Sequence, residues 1–331
     1  MPTCNIIKLK NLTPLHIGTG KENQYDFSAT NLHSDTLSAA LAALRSQQGK
    51  TGDIEYFLQS FSLSSAFPFW DSIYFLPKMQ GKINVRVAAK KENEYSKQLK
   101  KIKHIDVSLW SKLIQGEEVI VEESQVKDDF LPGTSVDFEK PYKSQMNQRV
   151  NVPRMDNENA NPFFFNWTYF HEKAGLYCLT DAEDETFNEI LNLFKLLGET
   201  GLGTDRNIGG GKFDVEPGTL DLPETPDANQ TMLLSLYIPT KEELPKLNLK
   251  TAKYELLLRG GYMAGSSEEC LRHLRKRSVY MFNVGSLFPT VETLTGKIVN
   301  LAPGWNDERM HPVFRSGRPF YVPVKINERY E

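Results

Sequence analysis

CNIIKLKN, at residues 4–11, alternates apolar and polar side chains, which is typical of a half-buried β-strand. A glycine-containing loop follows it. Residues 33–36, HSDT, then offer N-cap candidates for an Ala- and Leu-rich helix over residues 37–47, and Asp35 suits the cap. A strand, a loop and a helix in this order predict the opening of a βαβ-type unit.

The rest of the first half extends this unit. Residues 67–76 and 175–180 predict further strands, and residues 184–197 carry apolar side chains at helical spacing. We therefore expect a sheet with helices on one face. Between these strands, residues 80–170 show weaker periodicity and predict an insertion that is basic at first and acidic in its middle, at residues 117–137.

The second half predicts a separate small α+β unit. Residues 217–229, PGTLDLPETPDAN, are rich in Pro, Asp and Gly and indicate a linker between the two domains. The predicted strands after the linker cover residues 231–237, 253–259, 277–283 and 319–324, and the predicted short helices cover residues 242–247 and 267–275.

Composition limits the class of protein. The chain has 331 residues, a net charge of −3 and no apolar run long enough to cross a bilayer, so we expect a soluble cytoplasmic protein of about two domains. Cys4, Cys178 and Cys270 are far apart, which supports neither a disulfide framework nor a zinc site. Because the net charge is slightly negative, any contact with nucleic acid must be local.

The strongest local signal is GLGTDRNIGGGKF at residues 201–213, between a predicted helix and a predicted strand. Glycines allow close approach of backbone N–H groups, and the loop also carries polar donors suited to phosphate or ribose oxygens. It is not a nucleotide P-loop, because Arg206 and Phe213 stand where that motif needs Gly and Ser or Thr. A glycine-rich hairpin turn remains an equal alternative.

Basic and aromatic clusters leave two interpretations open. RHLRKRS at residues 272–278 and the lysines of residues 97–103 are either phosphate contacts or solvated surface. Phe163, Phe164, Phe165 and Trp167 could stack on bases, although such a run beside a strand is more often core.

Two histidines are candidates for catalysis. His16 lies beside two glycines and His33 precedes the first helix, so either could act as a general base on a ribose 2′-hydroxyl. The spacing assigns no second catalytic group to either histidine, and a lone histidine is more often structural.

Several motifs in this order resemble the RAMP superfamily of CRISPR proteins, and within it the family of the fourth subunit of the type III-A Csm complex. The motifs are LHIGTG (15–20), HSDTLSAAL (33–41), FLPKM (75–79), KKIKHI (100–105), RVNVPRM (149–155), FFFNWTYF (163–170), GLYCL (175–179), the glycine-rich loop, RGGY (259–262), VGSLF (284–288) and HPVFRSGRPFYVPV (311–324).

The resemblance implies an α+β fold of two tandem ferredoxin-like, RRM-related domains, at residues 1–218 and 230–331. It also implies a β-hairpin thumb, which we expect near residues 149–165 with an exposed polar tip at residues 156–161. Members of this family bind the repeat-derived 5′ handle of the guide RNA (crRNA) and meet target RNA nearby. They also contact a large polymerase-like subunit and an adjacent RAMP backbone subunit, in antiviral defence.

The resemblance further implies a non-catalytic subunit with no cofactor and no metal. Cutting of target RNA belongs to the backbone subunits, through an aspartate before their first helix, and that role is not transferred to Asp35. The RNA-binding residues that follow from the resemblance are Gly201, Gly203, Thr204, Arg206, Asn207, Gly209, Gly210, Gly211, Lys212, His16, Ser34, Lys78, Lys100, Lys101, Lys103, Arg149, Arg154, Gly260, Gly261, Lys276, Arg277 and Ser286.

Two other functions stay open at this point. The first is a RAMP-type endoribonuclease that processes the CRISPR precursor, with His16 or His33 as its base. The second is a protein scaffold that never touches RNA, for which salt-sensitive RNA binding would be absent.

Overall fold

The structure, a computed structural model, describes residues 3–18, 24–29, 31–88, 95–134, 138–152, 160–263, 265–266, 268–290, 292–304 and 306–327. The helices are α1 (Ser34–Gln47), α2 (Ile54–Gln59), α3 (Ser96–Lys101), α4 (Val107–Ile114) and α5 (Asp184–Thr200).

The strands of the first half are β1 (Thr3–Lys10), β2 (Phe67–Trp70), β3 (Ile73–Pro77), β4 (Val85–Val87), β5 (His104–Asp106), β6 (Val119–Val121), β7 (Phe130–Leu131), β8 (Tyr142–Asn151), β9 (Asn161–Phe170), β10 (Ala174–Thr180) and β11 (Asp214–Asp221). Those of the second half are β12 (Gln230–Leu233), β13 (Leu256–Arg259), β14 (Val279–Phe282), β15 (Leu287–Phe288), β16 (Ile298–Asn300), β17 (Phe314–Ser316) and β18 (Tyr321–Val324).

A seven-stranded sheet organises the first half, in the order β11-β1-β10-β2-β3-β5-β7. Every neighbouring pair is antiparallel except β5 and β7. The strand predicted at residues 4–11 is confirmed as β1, in which Ile6, Ile7 and Leu9 are fully buried. The single strand predicted at residues 67–76 is instead a hairpin, because Asp71 adopts a left-handed φ of 51° that ends β2.

Two layers cover this sheet. Side chains of α1 and α5 pack on one face, with Leu41 and Phe194 in their core, as predicted, but the prediction that helices lie on one face only is wrong because α4 packs on the other. The opposite face packs against α4 and against β12 and β18 of the second half, with Ile6 and Trp110 in that core. The two halves therefore share a hydrophobic core.

The predicted linker at residues 217–229 is partly wrong. Residues up to Asp221 belong to β11, which pairs with the whole of β1 in register, and Pro217 lies opposite Ile7. Proline is tolerated there because β11 is an edge strand of the sheet and does not need every N–H for pairing.

The second half is built from strands and short 3-10 turns. In its described residues the predicted helices at 242–247 and 267–275 shrink to the 3-10 turns Leu244–Leu247 and Glu269–Leu271, and no α-helix follows Thr200. Helices of this length depend on an apolar face packed against a core, whereas each of these turns buries a single leucine, Leu247 or Leu271. The fold is therefore mixed α/β with mostly sheet, and the tandem ferredoxin-like assignment stays a prediction.

A long hairpin leaves the first half. Strands β8 and β9 pair over ten residues each, from Tyr142 opposite Phe170 to Asn151 opposite Asn161. The hairpin lies where the sequence predicted a thumb, whereas most of the predicted tip falls outside the described residues. The remainder of the insertion is not a separate unit, because β5 and β7 extend the central sheet.

Among the helices described, none combines the length and the apolar composition that a bilayer crossing requires.

Candidate nucleic-acid interface

The glycine-rich loop at residues 201–213 connects α5 to β11, as the sequence predicted. The N–H of Gly201 donates to Leu197 O at 2.8 Å and ends the helix, with Gly201 at a φ of 82°. The N–H of Leu202 donates to Gly211 O at 2.9 Å and closes the loop on itself.

The same loop is fastened to the segment between β1 and α1. The N–H of Gly211 donates to Pro14 O at 2.9 Å, and the N–H of Thr204 donates to His16 O at 3.1 Å. Lys212 N donates to Thr13 Oγ1 at 2.7 Å, and Thr13 N donates back to Lys212 O at 2.9 Å. These bonds fix the backbone without help from a ligand.

Most glycines of the loop are required by packing within the protein. A Cβ on Gly210 would lie 2.7 Å from Trp167, and a Cβ on Gly203 or Gly211 would clash with a backbone carbonyl oxygen. This corrects the expectation that the glycines serve mainly to let RNA approach the backbone. Gly209 is different, since nothing lies within 4 Å of its added Cβ.

Three polar side chains of the loop point outward. Arg206, Asn207 and Lys212 are exposed, and in the described part of the chain no acidic group pairs with either cation. The Thr204 hydroxyl oxygen is instead buried, without a hydrogen-bond partner among the described residues. A rigid backbone thus presents Arg206, Asn207 and Lys212 to solvent as donors, which suits phosphate and ribose oxygens.

The hairpin β8–β9 contacts the loop through Arg149. Its guanidinium forms an ion pair with Asp205 and lies 4.2 Å from the ring centroid of Phe165 and 5.4 Å from that of Trp167. Because Arg149 already has an acidic partner, it is less suited to phosphate than was predicted. Arg154, the other predicted arginine of this segment, lies outside the described residues.

The phenylalanine run divides between the two interpretations. Phe165 and Trp167 are buried, and their ring centroids lie 4.9 Å apart, so both residues belong to the core. Phe164, on the other face of the hairpin, is 53% exposed.

The two candidate histidines are inside the protein. His16 is buried, its Nδ1–H donates to Asn166 O at 2.7 Å, and burial lowers its pKa. Burial and the nearby charge of Arg259 lower the pKa of His33 to about 3. A general base must reach its substrate and accept a proton near neutral pH. Neither histidine fits that role, and the predicted RNA contact of His16 is corrected to a packing role.

Two predicted serine contacts are also corrected. Ser34 is buried between the halves, where its N–H donates to Ser65 Oγ at 3.1 Å and its Oγ accepts from Leu236 N at 3.0 Å. Ser286 is fully buried and donates to Asn283 O at 2.6 Å. Their hydroxyl groups are satisfied within the chain and unavailable to RNA.

Four of the six predicted lysines form one cationic group. Lys100, Lys101 and Lys103 are exposed, and the half-buried Lys78 donates from Nζ to Lys100 O at 3.1 Å. Burial lowers the pKa of Lys78. We call these four residues the lysine cluster. Spacing alone could not join Lys78 to the others, because the contact crosses from β3 to α3.

A third group of predicted RNA contacts lies where the two halves of the chain meet. Lys276 N donates to Gly261 O at 2.9 Å, which places Lys276 beside the predicted pair Gly260 and Gly261. Arg277 is exposed, although its Nη2 donates to Asn300 O at 2.7 Å.

Asp35 is not the N-cap of α1. The helix begins at Ser34 with His33 as its cap residue, and Asp35 is 0% exposed within the first turn. Its carboxylate pairs with Arg259 and Arg315 of the second half. Neither arginine was predicted as a site residue, although the motifs RGGY and HPVFRSGRPFYVPV contain them, because partners more than 200 residues apart leave no spacing signal.

No group of three or more His, Cys, Asp or Glu side chains in the described ranges is arranged to hold a metal ion.

Comparison with known families gives two adjacent matches. A profile of the RAMP superfamily matches residues 8–214, and a profile described as the CRISPR Csm4 C-terminal domain matches residues 226–324.

Curated relatives carry one name. A "CRISPR system Cms protein Csm4" from Mycobacterium tuberculosis is 31% identical over 169 residues, which are 50% of this chain and 53% of that protein. A protein of the same name from Thermococcus onnurineus is 25% identical over 262 residues, which are 75% of this chain and 80% of that protein. The chain therefore spans about half the length of the first of these relatives.

Solved structures share the fold. One chain of a Csm1–Csm4 cassette in complex with cA4 matches with a TM-score of 0.62 and 20% identity, over 99% of this chain and 100% of that chain. One chain of a Csm3–Csm4 subcomplex of the type III-A CRISPR-Cas interference complex matches with a TM-score of 0.61 and 19% identity. The match covers 97% of this chain and 99% of that chain.

Proposed function

Because the chain belongs to the RAMP superfamily, through residues 8–214, and its residues 226–324 match the Csm4 C-terminal domain, we propose that it is a Csm4-type subunit of a type III CRISPR effector complex. In this role it binds the repeat-derived 5′ handle of the guide RNA, in a type III-A complex, and does not cut RNA.

The glycine-rich loop is the observation that carries the RNA-binding proposal. Its backbone is held by hydrogen bonds to Thr13, Pro14 and His16, so its shape does not depend on a ligand. Arg206 and Lys212 are left exposed without acidic partners among the described residues. Preorganised cations bind phosphates with little loss of conformational entropy on association.

The lysine cluster supplies a second set of phosphate contacts in this proposal, and Lys276 and Arg277 a third. With a net charge of −3 spread over the whole chain, these local groups are what attract RNA. Affinity of this kind is mainly electrostatic and therefore falls as salt rises.

Partners are proposed on a different basis. Solved structures of the same fold contain Csm4 chains together with Csm1 or Csm3. We propose that this chain likewise joins a large polymerase-like subunit to the adjacent RAMP backbone subunit, and that its hairpin meets target RNA near the handle.

The enzyme alternative is disfavoured by the histidines. His16 and His33 are buried, and burial lowers the pKa of each. Incubation of the purified chain with repeat RNA in the absence of metal tests the alternative, and cleavage at a defined position would establish an endoribonuclease.

The main experiment measures retention of guide RNA by the purified protein or subcomplex across a salt series. Arg206→Ala with Lys212→Ala is expected to weaken binding and lower the salt slope by about one to two units. Lys241→Ala with Lys250→Ala is the matched control, because it removes two exposed positive charges from the second half. Equal slopes in the natural chain and in both double variants would reject the loop as the handle site. Absence of salt-sensitive binding in the natural chain would favour the protein scaffold.

A further inference from the structure

One carboxylate faces two guanidinium groups at the junction of the two halves. Arg259 donates from Nε to Asp35 Oδ2 at 2.9 Å and from Nη2 to Asp35 Oδ1 at 3.0 Å, a two-pronged geometry that favours strong binding. Arg315 pairs with the same Oδ2. Arg259 ends β13 and Arg315 lies in β17, so both arginines come from the second half, whereas Asp35 comes from α1.

The junction carries more positive than negative charge. Besides the two arginines, Lys276 lies close enough that burial and the charge of Arg259 lower its pKa. Burial likewise lowers the pKa of Arg315 to about 10. Asp35 is the acidic side chain that pairs with the two arginines in the described part of the chain, so one negative charge faces two positive ones, and Lys276 adds a third positive charge near Arg259.

Such an excess is unfavourable in the protein alone. Removing charge from water costs free energy unless an opposite charge compensates it, and two arginines on one buried carboxylate leave one of them uncompensated. Both arginines also donate to neutral acceptors, Arg315 to Gly260 O at 3.3 Å and Arg259 to Thr36 Oγ1 at 3.0 Å, and these bonds do not cancel a charge. Because Arg315 is the more deeply buried partner of Asp35, the uncompensated charge is that of Arg259, whose side chain is 21% exposed.

Other groups at the junction also suit an anion. Helix α1 begins here and spans 14 residues, so its N-terminal dipole favours negative charge. The ring of His33, at the cap position and 7% exposed, has an Nδ1 without a hydrogen-bond partner among the described residues. Gly261 adopts a φ of 107°, and a Cβ added to it would meet nothing within 4 Å, so its backbone is open to close approach.

We infer that Arg259 and Lys276 bind a phosphate group at this junction, while the more deeply buried Arg315 balances Asp35. The inference rests on the proposed function in one respect, which is that the phosphate belongs to the backbone of the guide RNA. A free phosphate or nucleotide has the same chemistry and is distinguished by the experiment.

The test uses Arg259→Met, which keeps much of the side-chain volume and leaves Asp35 paired one to one with Arg315. Without RNA, this variant is expected to melt at or above the temperature of the natural chain. Its affinity for guide RNA is expected to fall about tenfold, and its salt slope by about one unit. Arg259→Lys keeps the charge and is expected to restore the slope.

A second measurement uses inorganic phosphate in place of RNA. Phosphate stabilises proteins in general, and that effect acts on the natural chain and on Arg259→Met alike. A larger rise in melting temperature for the natural chain therefore reports the junction. This result supports the phosphate site even if the chain binds no guide RNA, in which case the ligand is a free phosphate compound and the proposed function fails alone.

Two outcomes would overturn the inference. One is a clear loss of stability in Arg259→Met with RNA affinity unchanged, which makes the arginine structural. The other is an identical response of both proteins to RNA and to phosphate. Loop variants at Arg206 and Lys212 are measured in parallel, so that failure at the junction is separated from failure of the handle site.

Discussion

Arg149 in β8 forms an ion pair with Asp205 in the glycine-rich loop, and its guanidinium carbon lies over the ring of Phe165, 4.2 Å from the ring centroid. Asp205 has a left-handed φ of 58°, a conformation that favours glycine over other residues. The ion pair compensates for this backbone conformation and joins the hairpin to the loop as one rigid unit.

The first prediction concerns this contact. Arg149→Ala removes the ion pair and the cation–π contact, and is expected to lower the free energy of unfolding by about 1–2 kcal/mol. Chemical denaturation followed by circular dichroism measures the change. Lys173→Ala is the control, because its ion pair with Asp71 spans 3.9 Å on the surface and should contribute almost nothing. Equal effects of the two substitutions would show that Arg149 does not hold the loop.

The second prediction separates the glycines. Gly210→Val drives a side chain into Trp167 and is expected to destabilise the protein by about 2–3 kcal/mol. Gly209→Ala meets open space but keeps a φ of 87°, so its expected cost is about 1 kcal/mol. Thermal melts compare the variants. A stable Gly210→Val protein that loses RNA would instead restore a direct role for Gly210 in RNA approach.

The third prediction concerns the histidines. Replacing His16 or His33 with Ala should leave the length pattern of RNA in the purified complex unchanged, because neither buried ring can serve as a base. Both variants should nevertheless lose stability, because both rings are buried and the centroid of the His16 ring lies 4.5 Å from that of the Phe165 ring. Denaturing gels measure RNA length, and altered processing in folded protein would argue for the enzyme.

The fourth prediction concerns the outer face of the hairpin. Met146, Val150 and Phe164 are exposed, and the strand register places them on one face, opposite the face that packs on the loop. Phe164→Ala should leave stability and handle binding unchanged while weakening engagement of target RNA beside the handle. Tyr56→Ala is the control at an aromatic residue that is 73% exposed in α2.

Deletion of residues 156–161, most of which lie outside the described residues, tests the exposed tip predicted from the sequence. Folding and handle binding should survive, and target-RNA engagement at the adjacent position should suffer. Insoluble protein after the deletion would mean that these residues belong to a core.

The fifth prediction concerns pH. Burial raises the pKa of Glu243, but hydrogen bonds from Thr240, Thr295 and Gly296 outweigh burial and lower the pKa to about 2. Because the pKa of Glu243 is lower in the folded protein than its value of 4.5 in the unfolded chain, the ionised carboxylate stabilises the fold at pH values above 4.5. This stabilisation is lost as the pH falls toward 2. Glu243→Gln should therefore cost about 2 kcal/mol at pH 7 and much less near pH 2. Denaturation curves at both pH values measure the difference, and a cost independent of pH would contradict it.

Local periodicity predicted the elements whose burial is regular. Strands β1 and β10 and helix α5 lie close to their predicted bounds. Helix α5 buries residues at helical spacing, such as Ile190, Phe194 and Leu197, whereas β10 is buried at every position because both faces of the sheet are covered. The order of short motifs identified the RAMP superfamily, since each motif is a contiguous stretch of chain.

The predictions that failed depend on distant partners. The predicted single strand at residues 67–76 is a hairpin that turns at Asp71, and residues 217–221 of the predicted linker belong to the edge strand β11 because β1 offers them pairing groups. Three predicted RNA contacts are wrong for the same reason, because the fold buries His16, Ser34 and Ser286 and satisfies their hydrogen bonds within the chain.

By itself the sequence determined the family, the main strands and helices of the first half, and the location of the exposed loop cations, because each is written in neighbouring residues. Only the tertiary structure decided why Gly210 must be glycine and which charges surround Asp35. Those facts depend on contacts between atoms that the chain brings together from opposite ends, such as Asp35 and Arg259.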